Sequence, residues 1–326
     1  MDSAALQTFT SPVILFFVLG MLAAFARSEL SIPESLAKGM SLYLMAAIGL
    51  KGGVAVSKSG VNPTIALALL AGIGASFLLP LMAYGALRSF ARLDQLNAGA
   101  VAAHYGSVSV VTFVTAVEIY ELRGMPPGGY MVAVMAAMET PAILTGLLLA
   151  RRALAGNSQT EHRATGELLR EVFFNASVVL LLGAFAIGVV SGASGFADVA
   201  PFFEAGFKGV LCLFLLDMGL IAARRLMDAR SMTLRLAIVA IALPLLNGAL
   251  GAALGTSIGL ETGSAAALGV LCASASYIAV PAAMRLALPQ ADPGIYLTMS
   301  LSVTFPFNIL INIGLIGAMA ARLAGS

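Results

Sequence analysis

Apolar stretches of about twenty residues, separated by short polar segments, recur from one end of the chain to the other. A run of this length can cross the hydrocarbon core of a bilayer as an α-helix. The pattern therefore predicts an all-α integral membrane protein with ten transmembrane helices. The predicted spans cover residues 11–27, 35–56, 63–87, 97–119, 130–150, 173–193, 206–226, 234–256, 263–285 and 294–321.

The two halves of the chain share a sequence pattern. In each half a proline is followed by a Lys-Gly pair, and a glycine follows eleven residues after the lysine; a Pro-Gly-x-Tyr segment and a later proline end the pattern. A duplicated, apolar, glycine-interrupted chain is typical of secondary transporters built from structural repeats. The matching residues are Pro33, Lys38, Gly49, Pro127–Tyr130 and Pro141 in the first half, and Pro201, Lys208, Gly219, Pro293–Tyr296 and Pro306 in the second.

The positive charges predict the orientation of the spans. If both termini lie outside, only five of the 18 Lys and Arg residues lie on the outer side, and the other 13 lie at the cytoplasmic side, as the positive-inside rule requires. Five spans per half then place the second half upside down, so residues 1–150 and 173–326 are predicted to be inverted repeats. Residues 151–172 are predicted to be a cytoplasmic hinge. The five outer residues are Lys51, Lys58, Arg123, Lys208 and Arg322.

Composition supports the membrane assignment and excludes several classes of function. The chain is 60% hydrophobic and only 10% charged, whereas soluble domains carry about 25% charged residues. The net charge of +2 gives no reason to expect a nucleic-acid partner. The sequence carries no nucleotide-binding glycine motif and no catalytic constellation. We therefore expect no enzymatic activity and no cofactor.

Spans four and nine are interrupted near their centres by small and hydroxyl residues. These are His104–Ser109 in the first half and Ala273–Tyr277 in the second. Pro281 cannot donate a backbone hydrogen bond, so span nine is predicted to be the more completely broken of the two helices. Half-helix N-termini attract anions, and exposed carbonyls with hydroxyls suit sodium. The alternative is a small-residue packing face between helices. The predicted substrate-binding residues are Gly106, Ser107, Ser109, Ser274, Ala275, Ser276 and Tyr277.

Acidic residues within the spans indicate a cation site. Glu139 lies deep in span five, where a charge at the bilayer centre costs roughly 2.5–3.5 kcal/mol and usually faces a partner or a wet cavity. It is predicted to bind the coupling ion together with Ser107, Ser276 and Thr112. The alternative is a structural acid paired with His104 or a serine of span four. Asp217 in span seven, Lys51 at the outer end of span two and Asn308 in span ten are further polar candidates.

A set of short motifs follows one another along the chain: Ile32-Pro33-Glu34-Ser35, Ile48-Gly49-Leu50 with Gly52-Gly53, Gly106-Ser107, Met138 with Pro141-Ala142, and Ala273-Ser274-Ala275-Ser276 with Pro281 and Arg285. By the order and spacing of these motifs the chain resembles the SbtA-type sodium-dependent bicarbonate transporters over nearly its whole length. The resemblance implies a core domain and a gate domain, crossing helices at spans four and nine, and an elevator-like homotrimer in the bacterial inner membrane. It also implies bicarbonate as substrate, sodium as coupling ion and a PII-like regulator.

Two positions depart from that family. The family has Asp where this chain has Glu139 and Tyr277, so the second change removes a negative charge. The leading expectation is sodium-coupled symport of bicarbonate across the inner membrane by alternating access. One rival is a proton-coupled or uncoupled carrier of another small anion, because Glu139 can take a proton. The other is a membrane sensor that binds an anion without transporting it.

Overall fold

A computed structural model describes residues 10–59, 63–151, 176–229 and 231–325. Over these residues the protein is entirely helical, which confirms the predicted all-α class. The predicted hinge at 151–172 lies, apart from Arg151, outside the described residues. The helices are α1 Pro12–Phe25, α2 Glu34–Ser59, α3 Pro63–Ser89, α4 Gln95–His104, α5 Val110–Leu122, α6 Met131–Glu139, α7 Pro141–Arg151, α8 Ala176–Phe203, α9 Phe207–Met227, α10 Leu234–Ser257, α11 Thr262–Ala273, α12 Ala279–Ala287 and α13 Pro293–Ala324.

Six helical segments of the described chain are long and apolar enough to cross a membrane, and α1 and α11 are shorter apolar helices. The long segments are α2, α3, α6 with α7, α8, α10 and α13. Many apolar side chains on α3 and α8 face outward; Leu70 is 67% exposed and Val190 is 88% exposed. Such surfaces are stable in lipid and would be an aggregation hazard in water. The protein is a multi-pass membrane protein.

The predicted spans four and nine are each divided into two helices. Span four ends its first helix at His104 and starts again at Val110; span nine ends at Ala273 and starts again at Ala279. Both predicted breaks therefore form, so span nine is not more completely broken than span four, and Pro281 lies after the break rather than in it. Pro281 lies in the first turn of α12, where a helix does not use its backbone N–H groups and tolerates proline.

The predicted span five is also divided, which the sequence pattern did not indicate. Helix α6 ends at Glu139 and α7 begins at Pro141. Ser76 of α3 inserts its hydroxyl here: it donates to the Met138 carbonyl at 2.6 Å and accepts from the Ala142 amide at 3.2 Å. A side chain from a neighbouring helix thus replaces the i→i+4 bond that would otherwise join Met138 and Ala142.

Helix α13 is continuous but irregular. It contains two π-helical segments, Thr298–Thr304 and Asn308–Asn312, on either side of Pro306. Wide turns of this kind occur where the regular backbone bonding is disturbed, often at functional sites. Span ten was predicted as a plain helix, because a π turn has no signal in the hydrophobic pattern.

The helices pack in two groups: one contains α1, α2, α8 and α9, and the other contains the helices that follow α2 and α9 in each half of the chain. Helix α1 packs mainly against α9 and α2 against α8, while α3 packs with α4, α6 and α7, and α10 with α11 and α13. The repeated glycines Gly49 and Gly219 lie at equivalent contacts. A Cβ atom at Gly49 would lie 2.8 Å from the Leu181 carbonyl of α8, and one at Gly219 would overlap the Phe17 carbonyl of α1. Glycine therefore permits both close helix contacts.

Candidate functional site

The two interrupted spans meet each other inside the protein. The Ser276 amide donates to the His104 carbonyl at 3.0 Å, and His104 Nδ1 donates to the Ser276 carbonyl at 2.5 Å. The Ser109 amide donates to Ser274 Oγ at 3.0 Å. All four residues are buried. A break in a helix leaves backbone groups without a partner in that helix. Here these groups form hydrogen bonds with the other interrupted span instead.

A small cavity lies at this crossing point, between the two interruptions and helix α2. Its volume is about 10 Å³, near the minimum that holds one water molecule. Glu139 lies on its wall, so residues from four different predicted spans contribute. The lining residues are Ser41, Met45, Val108, Ser109, Val110, Glu139, Ser276, Tyr277, Ile278 and Ala279.

Two helix N-termini point toward the cavity. Helix α5 begins at Val110 with Ser109 as its cap, and α12 begins at Ala279; all three residues line the cavity. The first-turn amides of a helix have no partner within the helix, and the helix dipole places a partial positive charge there. The arrangement provides an electropositive wall for a small anion from both halves of the chain.

Glu139 lies in the wall of this cavity and is only 4% exposed. No hydrogen bond joins its carboxyl group to another side chain within the described part of the protein. The predicted alternative of pairing with His104 is not what the structure has, because His104 bonds Ser276 instead. Ser107 of span four does bond Glu139, but through the Glu139 backbone carbonyl, at 3.0 Å. The carboxyl group is therefore available to a cation or a proton.

The predicted site residues divide into those that line the cavity and those behind it. Ser109, Ser276, Tyr277 and Glu139 are in its wall. Those outside the wall are buried and support it: Thr112 Oγ1 donates to Ser109 Oγ at 2.9 Å, and Ser274 Oγ accepts from the Ser109 amide. Gly106, Ser107, Ser274, Ala275 and Thr112 are the predicted residues in this second group.

Tyr277 closes the cavity on the side of span ten. Its ring packs edge to face against Phe305, with 5.0 Å between ring centroids. Its hydroxyl is buried beside Ser109 without a hydrogen bond of good geometry. The aromatic ring thus stands at the position where the resemblance led us to expect an acid.

Residues on two further helices belong to the site and were not predicted. Ser41 and Met45 of α2 line the cavity one helical turn apart. Ser41 is a polar residue inside an apolar span, a signal that could have identified it. Met45 and the supporting Ser76 carry no such signal, because their roles depend on which helices are neighbours.

The remaining polar candidates lie away from the cavity. Asn308 Nδ2 donates to the Ala273 carbonyl at 2.9 Å, which caps the end of α11 at the break. Asp217 is buried in α9 outside the cavity wall. Lys51 lies 5.6 Å from the Phe207 ring centroid and lines a separate cavity of about 140 Å³ with Glu121.

Comparison with known proteins identifies one family. The model of the Na+-dependent bicarbonate transporter superfamily matches residues 12–321, which is nearly the whole chain. A comparison with curated proteins finds no significant match.

Proposed function

The chain belongs to the Na+-dependent bicarbonate transporter superfamily, and we propose that it is a secondary symporter that carries bicarbonate inward with sodium. The observation that carries the proposal is the cavity at the crossing of the two interrupted spans. It combines two helix N-termini, which favour an anion, with a carboxyl group, which favours a cation. Membership of a transporter family favours transport over catalysis.

Bicarbonate would bind against the starts of α5 and α12. The amides of Val110 and Ala279 are first-turn amides at the cavity wall. Ser276 adds a hydroxyl that can donate to or accept from the anion. Among the residues that the structure describes, no positively charged side chain lines this cavity. Backbone amides would therefore provide the positive potential, as they do in other transporters with broken helices.

Sodium would bind beside the anion at Glu139. A carboxylate with nearby serine hydroxyls and backbone carbonyls provides the oxygen ligands that a small hard cation prefers. Binding the two ions together would neutralise the charge of each in a site where unpaired charge is costly. Sodium acts as the coupling ion, and the mechanism needs no other cofactor.

Transport would occur by alternating access between two inverted repeats. Two observations support a repeat. The first helix of each half packs against the second helix of the other half, α1 on α9 and α8 on α2, and Gly49 and Gly219 lie at these two contacts. We propose that these four helices form the gate domain, with α2 lining one side of the cavity, and that the other helices around the cavity form the moving core domain. The cavity of about 10 Å³ must enlarge to admit an anion, as expected of a closed conformer.

The assembly and location follow from the family resemblance. We propose a homotrimer in a bacterial inner membrane with both termini outside and a PII-like regulator at the cytoplasmic face. Cross-linking in native membranes and the labelling of cysteines placed near either terminus would test the trimer and the orientation.

Uptake of labelled bicarbonate into proteoliposomes tests the proposal. An inward sodium gradient at fixed pH should drive accumulation, and a potassium gradient of the same size should not. Uptake that follows a pH gradient and ignores sodium would favour the proton-coupled carrier, a reading that Tyr277 in place of an acid also supports. Anion binding to purified protein without any flux would favour the sensor.

A further inference from the structure

His104 forms hydrogen bonds with both the backbone amide and the backbone carbonyl of Ser276, in the opposite half of the chain. Its carbonyl accepts from the Ser276 amide at 3.0 Å, and its ring Nδ1 donates to the Ser276 carbonyl at 2.5 Å. The two residues are 172 positions apart and are both fully or almost fully buried. Two hydrogen bonds thus join span four to span nine at the last residue of α4.

The chemistry of the pair fixes the state of the ring. A carbonyl oxygen can only accept, so Nδ1 carries the hydrogen. Nε2 is buried and has no hydrogen-bond partner in the described part of the protein. A proton on that nitrogen would be an unpaired buried charge, so the neutral ring is favoured. The ring also stacks on Tyr296 of α13, with centroids 4.9 Å apart and an interplanar angle of 25°.

The position of this contact gives it a consequence for the cavity. Ser276 is followed at once by Tyr277, Ile278 and Ala279, which form the cavity wall and the start of α12. On the other side, His104 lies five residues before Ser109, the cap of α5. The His104–Ser276 contact therefore sets how far apart the two helix N-termini stand.

We propose that His104 is a positioning residue for the anion site. By bonding the Ser276 carbonyl, its imidazole holds the starts of α5 and α12 at the spacing that binds the anion. The inference rests on the proposed function for its transport readout. His104 itself lies outside the cavity wall. The proposed role depends on the hydrogen bond from its ring to Ser276 more than on the stacking of the ring on Tyr296.

Two substitutions separate the hydrogen bond from the stacking. His104→Phe keeps a ring against Tyr296 but leaves the buried Ser276 carbonyl without its donor. His104→Asn removes the ring and keeps a short N–H donor that can reach the same carbonyl. Tyr296→Leu is the matched control, because it removes the stacking and leaves His104 unchanged.

The first readout is sodium-driven bicarbonate uptake as a function of bicarbonate concentration. Leaving a buried carbonyl unsatisfied should raise KM by about tenfold to a hundredfold in His104→Phe. The maximal rate per inserted transporter should fall much less, and His104→Asn should recover most of the affinity. A purely structural role would lower the amount of folded protein and leave KM unchanged.

The second readout does not depend on transport. Hydrogen exchange of the backbone segment 274–280 in purified protein should become faster in His104→Phe and stay near the wild-type rate in His104→Asn and Tyr296→Leu. If the wild-type protein does not transport bicarbonate, the proposed function fails and the exchange rates still test the contact. Wild-type exchange and wild-type KM in His104→Phe would overturn the proposal, as would a stronger effect from Tyr296→Leu.

Discussion

Two serines in the cavity wall are chemically identical but have different hydrogen-bond partners. Ser109 Oγ accepts from the Thr112 amide at 3.3 Å and from the Thr112 hydroxyl at 2.9 Å, so it serves as the cap of α5. Within the described part of the chain, Ser276 Oγ accepts only a long bond of 3.5 Å from the Val280 amide. The Ser109 oxygen is therefore held in place as a helix cap, whereas the Ser276 hydroxyl is held only weakly and can turn its hydrogen toward a bound anion.

Ser276→Ala should weaken anion binding while the protein remains folded. The loss of one hydroxyl bond to an anion is worth about 1.5–3 kcal/mol, which corresponds to roughly tenfold to a hundredfold in KM. Bicarbonate uptake at varied concentration measures the change. An unchanged KM would show that Ser276 only packs against its neighbours.

Ser109→Ala provides the contrasting variant at the same cavity. Removing a helix cap costs about 0.5–2 kcal/mol of stability, so we expect this variant to unfold at lower temperature. The thermal midpoint of the purified protein, compared with that of Ser276→Ala, separates the two roles. Equal losses of stability in both variants would contradict the distinction drawn from their hydrogen bonds.

Glu139→Gln should abolish sodium-coupled uptake and leave the protein folded. The substitution keeps the size of the side chain and removes the charge that a cation needs. Among the described residues the carboxyl group has no side-chain partner to lose, and Glu139 lies buried in the cavity wall. Uptake driven by a sodium gradient measures the effect. Glu204→Gln, on the exposed segment after α8, is the control. Wild-type rates in Glu139→Gln would remove this residue from the mechanism.

The chemistry of these residues could be predicted from the sequence more readily than their geometry. Glu139 and the serines of the interruptions were predicted because polar groups are costly inside a membrane. Their hydrogen bonds could not be predicted in the same way. Ser107 reaches a backbone carbonyl and Ser276 reaches the cavity, and only the packing of the neighbouring helices decides which of the two occurs.

At the scale of helices, the proline inside α10 is accompanied by a hydroxyl group that replaces the hydrogen bond it removes. Pro244 lies inside α10 and has no N–H to offer the Ala240 carbonyl four residues earlier. Thr304 of α13 donates to that carbonyl at 2.6 Å. Since the single Thr304 hydrogen is used there, the Tyr105 hydroxyl must donate to Thr304 Oγ1, at 2.7 Å.

Thr304→Val should therefore destabilise the protein in a way that depends on Pro244. In the wild-type background the buried Ala240 carbonyl and Tyr105 hydroxyl lose their partner, at a cost of about 1–3 kcal/mol for each group. In a Pro244→Ala background the restored amide can bond Ala240, and the cost should be smaller. The free energy of unfolding in detergent, measured for the wild type, both single variants and the double variant, gives the coupling. Additive effects would show that Thr304 does not substitute for the missing amide.

Whether a helix break could be predicted from the sequence depends on whether its cause lies in the same segment or on another helix. The interruptions of spans four and nine contain several small and hydroxyl residues in a row, so they are visible locally. The break at Thr140 is not, since a single proline such as Pro141 is common in unbroken transmembrane helices. Its cause lies in Ser76, on another helix, 62 residues from Met138.

At the scale of the whole molecule, an ion pair joins the two groups of helices on the side predicted to face outward. Lys208 of α9 lies 2.5 Å from Glu118 of α5, whose side chain is 4% exposed while that of Lys208 is 60% exposed. Glu118 is on the helix that begins at the cavity, and α9 packs on α1. Under the proposed mechanism, a movement of the core domain past the gate domain breaks this pair.

Lys208→Met should shift the protein away from the conformer described here. Its loss leaves the buried Glu118 carboxylate without its counter-ion, which disfavours this conformer, and about 1 kcal/mol changes the ratio of two conformers roughly fivefold. The readout is labelling of Val117→Cys, in a cavity between α2 and α5, by an impermeant maleimide. Cys212 and Cys272 are replaced by alanine beforehand, although both are buried.

Labelling should be faster in Lys208→Met than in its parent, and adding Glu118→Gln should bring the rate back toward the parent because the uncompensated charge is gone. Applying the reagent to each side of the vesicles in turn also determines which side the pair faces. If the labelling rate does not change in Lys208→Met, the pair is a surface contact that the moving helices do not need to break, and the resistance to opening must come from the apolar contacts around Phe113 and Val117 on α5.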